Sequence, residues 1–329
     1  MLYKPYTQLS KKVRCVQKNW QFTVISLPQG MEVTENGGFS VTQKTPTVAI
    51  LDEFYKKNQK LASGVKSSHG DIVTKYVVNG LEDQIGVLAC NVISDSFTNN
   101  SGSSFPAKQA GYGVRHALEF LVKVQKKYHN IIAVNMSVAY EMLPDHIGRM
   151  TSITPKNKGR LLERLEYLAD KYKDDILYNN SYKSILSINE LIELGVEVYI
   201  GTGNSNDKCF NALNFSNAHA VSSCDTKYDN EQLSTAEAKG SHRFRKRFNI
   251  FGKLRYITDG IIKFYPDEIK TRKWIGLFDI LLPWRTIHGT SYACPNVLNK
   301  YLRARLSQKT DHPEWETVSS DRAISTEGE

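Results

Sequence analysis

The chain has 329 residues, 43 Lys and Arg against 34 Asp and Glu for a net charge of +9, 40% hydrophobic residues and 10% aromatics, which fits a globular enzyme or binding domain. No apolar run approaches the roughly 18 residues of a membrane span, and the N-terminus reaches Lys11-Lys12 before any apolar stretch, so neither a spanning helix nor a Sec signal is read. The five scattered cysteines exclude a disulfide-stapled scaffold and favour a reducing compartment, and a charge of +9 over this length reads as solubility before it reads as attraction to nucleic acid or lipid.

Short apolar runs bounded by turn or charged residues predict buried strands at Val48–Leu51, Val87–Ile93, Ile131–Val134 and Val196–Ile200. Between them, Val114, Ala117, Leu118, Leu121 and Val122 form one stripe of an amphipathic helix over Gly113–Tyr128. A second helix is expected to start at Ser187, with Glu190 completing a capping box, and to stop at Gly195. This alternation predicts an α/β fold with a mostly parallel central sheet, helices on both faces, and ligands at the carboxyl ends of the strands.

Residues 47–305 read as one domain behind an N-terminal extension, 1–46. Residues 141–182 read as an insertion with one helix, marked by Leu161, Leu165, Leu168 and Tyr172; residues 306–329 are poor in apolar side chains and read as a disordered tail. Residues 240–256 carry His242-Arg243-Phe244-Arg245-Lys246-Arg247-Phe248 with no acid, a solvated loop or an acidic-peptide contact more readily than a nucleic-acid site.

The residues that follow the strands carry chemistry. Asp52 follows the first; Ser68-His69-Gly70 opens a helix through Ile72, Val73 and Tyr76; Asn135-Met136-Ser137-Val138-Ala139 ends the third strand; Gly201-Thr202-Gly203-Asn204 ends the fourth; and Gly289-Thr290-Ser291 opens a helix through Val297, Leu298 and Tyr301. A serine hydroxyl needs a base, histidine supplies one near neutral pH, and a carboxylate fixes its tautomer. An asparagine amide and a helix N-terminal N–H supply two oxyanion donors, so the set suits acyl transfer.

These motifs resemble one family, the subtilisin-like serine proteases, in the order Asp, His, Ser. Val48-Ala49-Ile50-Leu51-Asp52 resembles its Asp motif, Ser68-His69-Gly70 with Val73 its His motif, Gly203-Asn204 its oxyanion motif, and Gly289-Thr290-Ser291 with Pro295 its nucleophile motif. The resemblance runs from about Thr47 to Leu302 and implies a subtilisin-like three-layer fold. It implies a narrow-specificity endopeptidase in which Asp52 orients His69, Ser291 attacks and Asn204 holds the oxyanion. Ser137, Val138, Ala139, Gly201, Thr202 and Gly203 are the implied substrate-binding residues, and a protein or peptide is the implied partner. No organic cofactor is required; family members often hold structural calcium, but no compact Asp/Asn/Gly loop marks a site here. With 46 residues ahead of the Asp motif and no signal, the chain resembles intracellular, cytoplasmic members, and a signal-independent secretion route stays open.

The chain departs from the family pattern at Glu53 and Phe54 after the Asp, Asp71-Ile72 after the His-Gly, Ala139-Tyr140 where Gly-Gly is usual, and Tyr292 where Met is common. Tyr140 is expected to narrow the primary specificity pocket, and the 141–182 insertion to rim the cleft. Two other readings use the same residues: a noncatalytic peptide-binding module with Tyr140 and Tyr292 filling the cleft, or a ligase or macrocyclase. Cys209, His219, Cys224 and His242 match no common zinc spacing, and Ala218–Val221 reads better as a strand. Cys294 reads as a small packed hydrophobe.

Overall fold

The structure, a computed structural model, describes residues 22–33, 39–41, 45–54, 68–92, 107–142, 158–203, 210–224, 256–259, 262–263, 286–287 and 290–307. The chain enters through β1 (Thr23–Ser26), then β2 (Met31–Val33) and β3 (Phe39–Val41), which pair antiparallel, before β4 (Thr47–Asp52). Next come α1 (His69–Val78), β5 (Gly86–Asn91), α2 (Ala107–Tyr128), β6 (Ile131–Met136) and the short β7 (Glu141–Met142). They are followed by α3 (Lys158–Lys171), α4 (Ile176–Glu193), β8 (Glu197–Gly201), β9 (Phe210–Asn211) and β10 (His219–Cys224). The last elements are β11 (Tyr256–Asp259), β12 (Ile262–Lys263), β13 (Thr286–Ile287) and α5 (Thr290–Ser307).

Seven strands make one sheet in the order β1-β5-β4-β6-β8-β10-β11, parallel throughout except for β1 against β5. The chain leaves β4 toward β5 through α1 and crosses back to β6, on the other side of β4, through α2. Right-handed crossovers in opposite directions put those helices on opposite faces and open a crevice at the carboxyl ends of β4 and β6. The expected α/β class, a mostly parallel sheet between two helical layers, is what the structure has.

Every residue of β4 and β5 is buried, as strands covered on both faces must be. Alternation divides their side chains between two cores. Ala49, Leu51, Leu88, Cys90, Val134 and Met136 pack with α2, α3 and α4, whereas Val48, Ile50, Val87, Ala89, Ala133 and Tyr199 pack with α1 and α5. The same parity assigns the next positions. Asp52 follows Val48 and Ile50, and Ser137 follows Ala133 and Asn135, so both belong to the α1/α5 face.

The structure corrects three boundaries. Residues 23–26, assigned by sequence to the N-terminal extension, form the antiparallel edge of the central sheet. The helix expected from Ser187 begins eleven residues earlier at Ile176, capped by Asp175, whose side chain accepts from Leu177 N at 2.9 Å. Its buried face mixes Asn180, Ser181, Ser184 and Ser187 with Ile185, Ile188 and Leu191, so polar side chains break up the apolar stripe in its first half; it stops before Gly195 as predicted. The helix expected within residues 141–182 is α3, and its Leu161 and Leu165 are fully buried in the α2/α4 core, so α3 is part of the domain body rather than an appended rim. The basic 240–255 run and the 308–329 tail lie outside the described residues, and among the described residues no helix is long and apolar enough to cross a membrane.

Candidate active site

Asp52 is the last residue of β4 and only 1% exposed. Its Oδ1 lies 2.6 Å from His69 Nδ1 and also accepts from Glu53 N at 2.6 Å; Oδ2 has no hydrogen-bond partner among the described residues. Against a carboxylate, Nδ1 must be the donor, which leaves Nε2 free to accept a proton. Burial of the imidazole opposes its charge, but the Asp52 charge and hydrogen bond, with Glu53, outweigh it, so the His69 pKa stands above the ordinary value.

His69 is held by the start of α1. Ser68 caps that helix, its Oγ accepting from Asp71 N at 3.1 Å while Asp71 Oδ2 accepts from Ser68 N at 2.8 Å. Asp71, which the sequence showed only as an extra carboxylate near the base, is thus the reciprocal half of a capping box. Phe54 anchors the turn from the other side: its N–H donates to Asn91 Oδ1 at 3.0 Å, and Gly70 N donates to Glu53 O at 2.9 Å. A Cβ on Gly70 would lie 2.7 Å from the Phe54 ring, so only glycine fits after His69.

Ser291 stands in the first turn of α5. Pro295 lies inside this helix and has no N–H, so the Ser291 carbonyl lacks its i+4 donor. Ser137 supplies the replacement, its Oγ donating to Ser291 O at 2.9 Å while Asn135 Nδ2 donates to Ser137 Oγ at 3.0 Å. This ties the nucleophile motif, proline included, to the end of the third predicted strand. The Ser291 hydroxyl points to Ser137 O at 3.4 Å, and among the described residues Ser291 and His69 share no hydrogen bond. Catalytic hydrogen bonds are often loose without substrate. The next residue, Tyr292, is 8% exposed; its ring centroid is 5.1 Å from that of His69, and it packs on Ile72. Burial and the Asp52 charge push its phenol up to about 12, so it is a neutral wall.

Gly201, Thr202 and Gly203 run from β8 against the start of α5. Thr202 N donates to Val221 O at 2.9 Å and Gly203 N to Thr290 Oγ1 at 3.2 Å; Gly203 has a φ of 103°, the left-handed region that favours glycine. Asn204, the predicted oxyanion donor, lies outside the described residues. Val138 and Ala139 follow Ser137 at the same crevice. Tyr140 corrects an expectation: it is 2% exposed and part of the α2/α4 core, where burial drives its phenol pKa well above the ordinary value, so its ring packs as core. Strand parity sends Val138 and Tyr140 to the face opposite Ser137.

His219 begins β10, as a strand reading requires, and its Nε2 lies 2.5 Å from Glu197 Oε2; Cys209 and His242 lie outside the described residues. Among the described residues no cluster of three metal-ligating side chains occurs. Cys294 is fully buried, and burial raises its thiol pKa well above the usual range, so it packs as the sequence suggested. Sequence reasoning missed Asn211, which is 3% exposed and bonded to both runs that flank Ser291. Its only sequence signal was its place in an unassigned polar stretch.

No protein-family model matches the chain, and no curated protein sequence does. Solved structures do match in fold. One is a psychrophilic protease, 17% identical with a TM-score of 0.42, over 86% of this chain and 85% of that one. Another is a cold-adapted subtilisin-like serine proteinase, 15% identical with a TM-score of 0.37, over 79% and 76%. A third is the epidermin leader peptide processing serine protease of Staphylococcus aureus, 12% identical with a TM-score of 0.41, over 84% and 67%. These are likenesses of overall fold; the chemistry of the site rests on its own residues.

Proposed function

We propose that the chain is a subtilisin-like serine endopeptidase. The observation that carries this reading is the 2.6 Å contact between buried Asp52 and His69 Nδ1, with Tyr292, the residue after Ser291 in the first turn of α5, packed 5.1 Å from the His69 ring. Ser291 Oγ attacks a peptide carbonyl as His69 Nε2 takes its proton, and Asp52 stabilises the imidazolium. The oxyanion is held by the Ser291 backbone N–H, at the start of α5, and by the Asn204 amide. His69 then returns the proton to the leaving amine, and water releases the acyl group by the reverse sequence. Ser137, Val138 and Ala139 pair with an extended peptide by strand addition. The reaction needs no organic cofactor.

Labelling of the purified protein by a fluorophosphonate probe tests this, with Ser291→Ala and His69→Ala alongside. Wild type should label and both variants should not. A folded wild type that stays unlabelled would overturn the reading. Product mass from a cleaved peptide library then separates hydrolysis, which adds one water, from ligation, which does not.

A further inference from the structure

β6 and β8 pair in register up to Met136 and Ile200. Beyond that rung the two chains continue as residues 137–140 and 201–203, the two runs that border Ser291, and their inward backbone groups need new partners where water is excluded. Asn211 supplies them. Its Nδ2 donates to Gly201 O at 2.9 Å and, at 3.5 Å, to Val138 O, while its Oδ1 accepts from Tyr140 N at 3.1 Å and from Leu213 N at 3.2 Å. Two further contacts hold the amide in place: Ala212 N donates to Tyr140 O at 2.8 Å, and β9 pairs with β7 at Asn211 and Glu141. One rigid side-chain amide thus stands in for the sheet rung that is missing between the two walls.

We infer that Asn211 is a positioning residue that sets the spacing between the run Ser137–Ala139 and the run Gly201–Gly203, and through the latter's tie to Thr290 the placement of Ser291. The inference rests on the hydrolase reading above. Gly201–Gly203 is pinned three times: by Asn211 at the Gly201 carbonyl, by Val221 at the Thr202 N–H, and by Thr290 at the Gly203 N–H. Thr290 precedes Ser291, and Asn204 follows Gly203. Displacing Gly201 therefore shifts the run that Gly203 ties to Thr290, and with it the nucleophile relative to Ser137–Ala139. A peptide paired along Ser137–Ala139 would meet a carbonyl-reactive centre at the wrong distance, and a misplacement of about 1 Å costs roughly 100-fold in rate.

Only an amide serves both walls. Asn211→Ala takes the side-chain partner from the Gly201 carbonyl and from the Tyr140 and Leu213 N–H groups and is the variant expected to fold poorly. Asn211→Asp is the sharper test: it keeps the acceptor for Tyr140 N and Leu213 N but turns a carboxylate oxygen toward the Gly201 carbonyl. When protonated, that carboxyl donates again. The rate of fluorophosphonate labelling per folded molecule should therefore fall roughly 10- to 100-fold in Asn211→Asp at neutral pH. Its ratio to wild type should recover as pH is lowered through the new carboxyl's titration. A purely structural role predicts a smaller folded fraction with an unchanged rate per folded molecule at every pH, and that result overturns the inference. Hydrogen exchange reads the same spacing without chemistry: Asn211→Asp should exchange faster in both 137–140 and 201–203 at neutral pH. Unchanged exchange in either run refutes the positioning role even if wild type fails to label, whereas faster exchange in an unlabelled protein supports it and refutes only the hydrolase reading.

Discussion

Gly70→Ala isolates the link between the packing of Phe54 and the placement of His69. In an open helix this change would stabilise by about 1 kcal/mol. Here the new Cβ would lie 2.7 to 2.8 Å from three carbons of the Phe54 ring, whereas carbon contacts settle at about 3.5–4.0 Å, an overlap near 1 Å. The ring cannot simply turn aside. It is 3% exposed and packed in the α1/α5 core, and its backbone is tied to Asn91 and, through Glu53, to Gly70 itself. Overpacking of a closed core costs about 1–3 kcal/mol, and two pinned partners place this case in the upper half, so the net loss is about 1–2 kcal/mol. Relief comes by moving the first turn of α1, which carries His69 away from Asp52 and should slow labelling of Ser291 by roughly 100-fold. Denaturant midpoints and labelling rates for wild type, Gly70→Ala, Phe54→Leu and the double variant measure both effects, with the double variant recovering most of each. A Gly70→Ala protein as stable as wild type, with an unchanged labelling rate, would refute the reasoning.

Two further outcomes follow from the same geometry. The His69 pKa is raised by Asp52 against the pull of burial, so wild-type labelling should lose its acid limb above about pH 6.5. Asp52→Asn removes the raising charge but not the burial, so the limb should move to lower pH while the plateau falls roughly 10⁴-fold; a limb that does not move contradicts the assignment. Ser137→Ala should cost about 1–3 kcal/mol by stranding the Ser291 carbonyl, and Pro295→Ala, which restores the helix N–H, should cancel most of that cost in the double variant. Additive effects in the denaturation cycle would show that Ser137 and Pro295 do not share that carbonyl.

The sheet was legible because its strands are buried on both faces and so read as apolar runs; β4 and β5 match Val48–Leu51 and Val87–Ile93 to within two residues at each end. The order of Asp52, His69 and Ser291 was legible because each sits at the end of a strand or the start of a helix, where turn chemistry punctuates the sequence. The start of α4 was not. Its buried face carries Asn180, Ser181, Ser184 and Ser187, and a periodicity argument counts such positions as solvent-facing. Tyr140 was misread because one residue of register exchanges cleft for core, and motif comparison does not track strand parity. Asn211 was invisible for a different reason: its role depends on three segments brought together only by the fold.

The departures from the subtilisin-like pattern at Glu53, Phe54, Asp71, Ile72 and Tyr292, each a blemish when read singly, form a compensated set around His69. Phe54 fills the place that a smaller residue would leave, and it can do so only because residue 70 lacks a side chain. Asp71 turns Ser68 into half of a reciprocal cap and so fixes the first turn of α1 on which the imidazole stands. Tyr292 packs against the imidazole and rests on Ile72, the second of the two residues that replace the usual pair after His-Gly. Glu53 contributes twice, its carbonyl holding Gly70 N and its charge helping to raise the His69 pKa. Substituting any one of these by the residue common in the family therefore removes a contact that the others assume. The departures crowd around His69 while the Asp52–His69 contact of 2.6 Å is kept, because what the proposed chemistry needs is the position of the ring, and packing of quite different side chains can supply it.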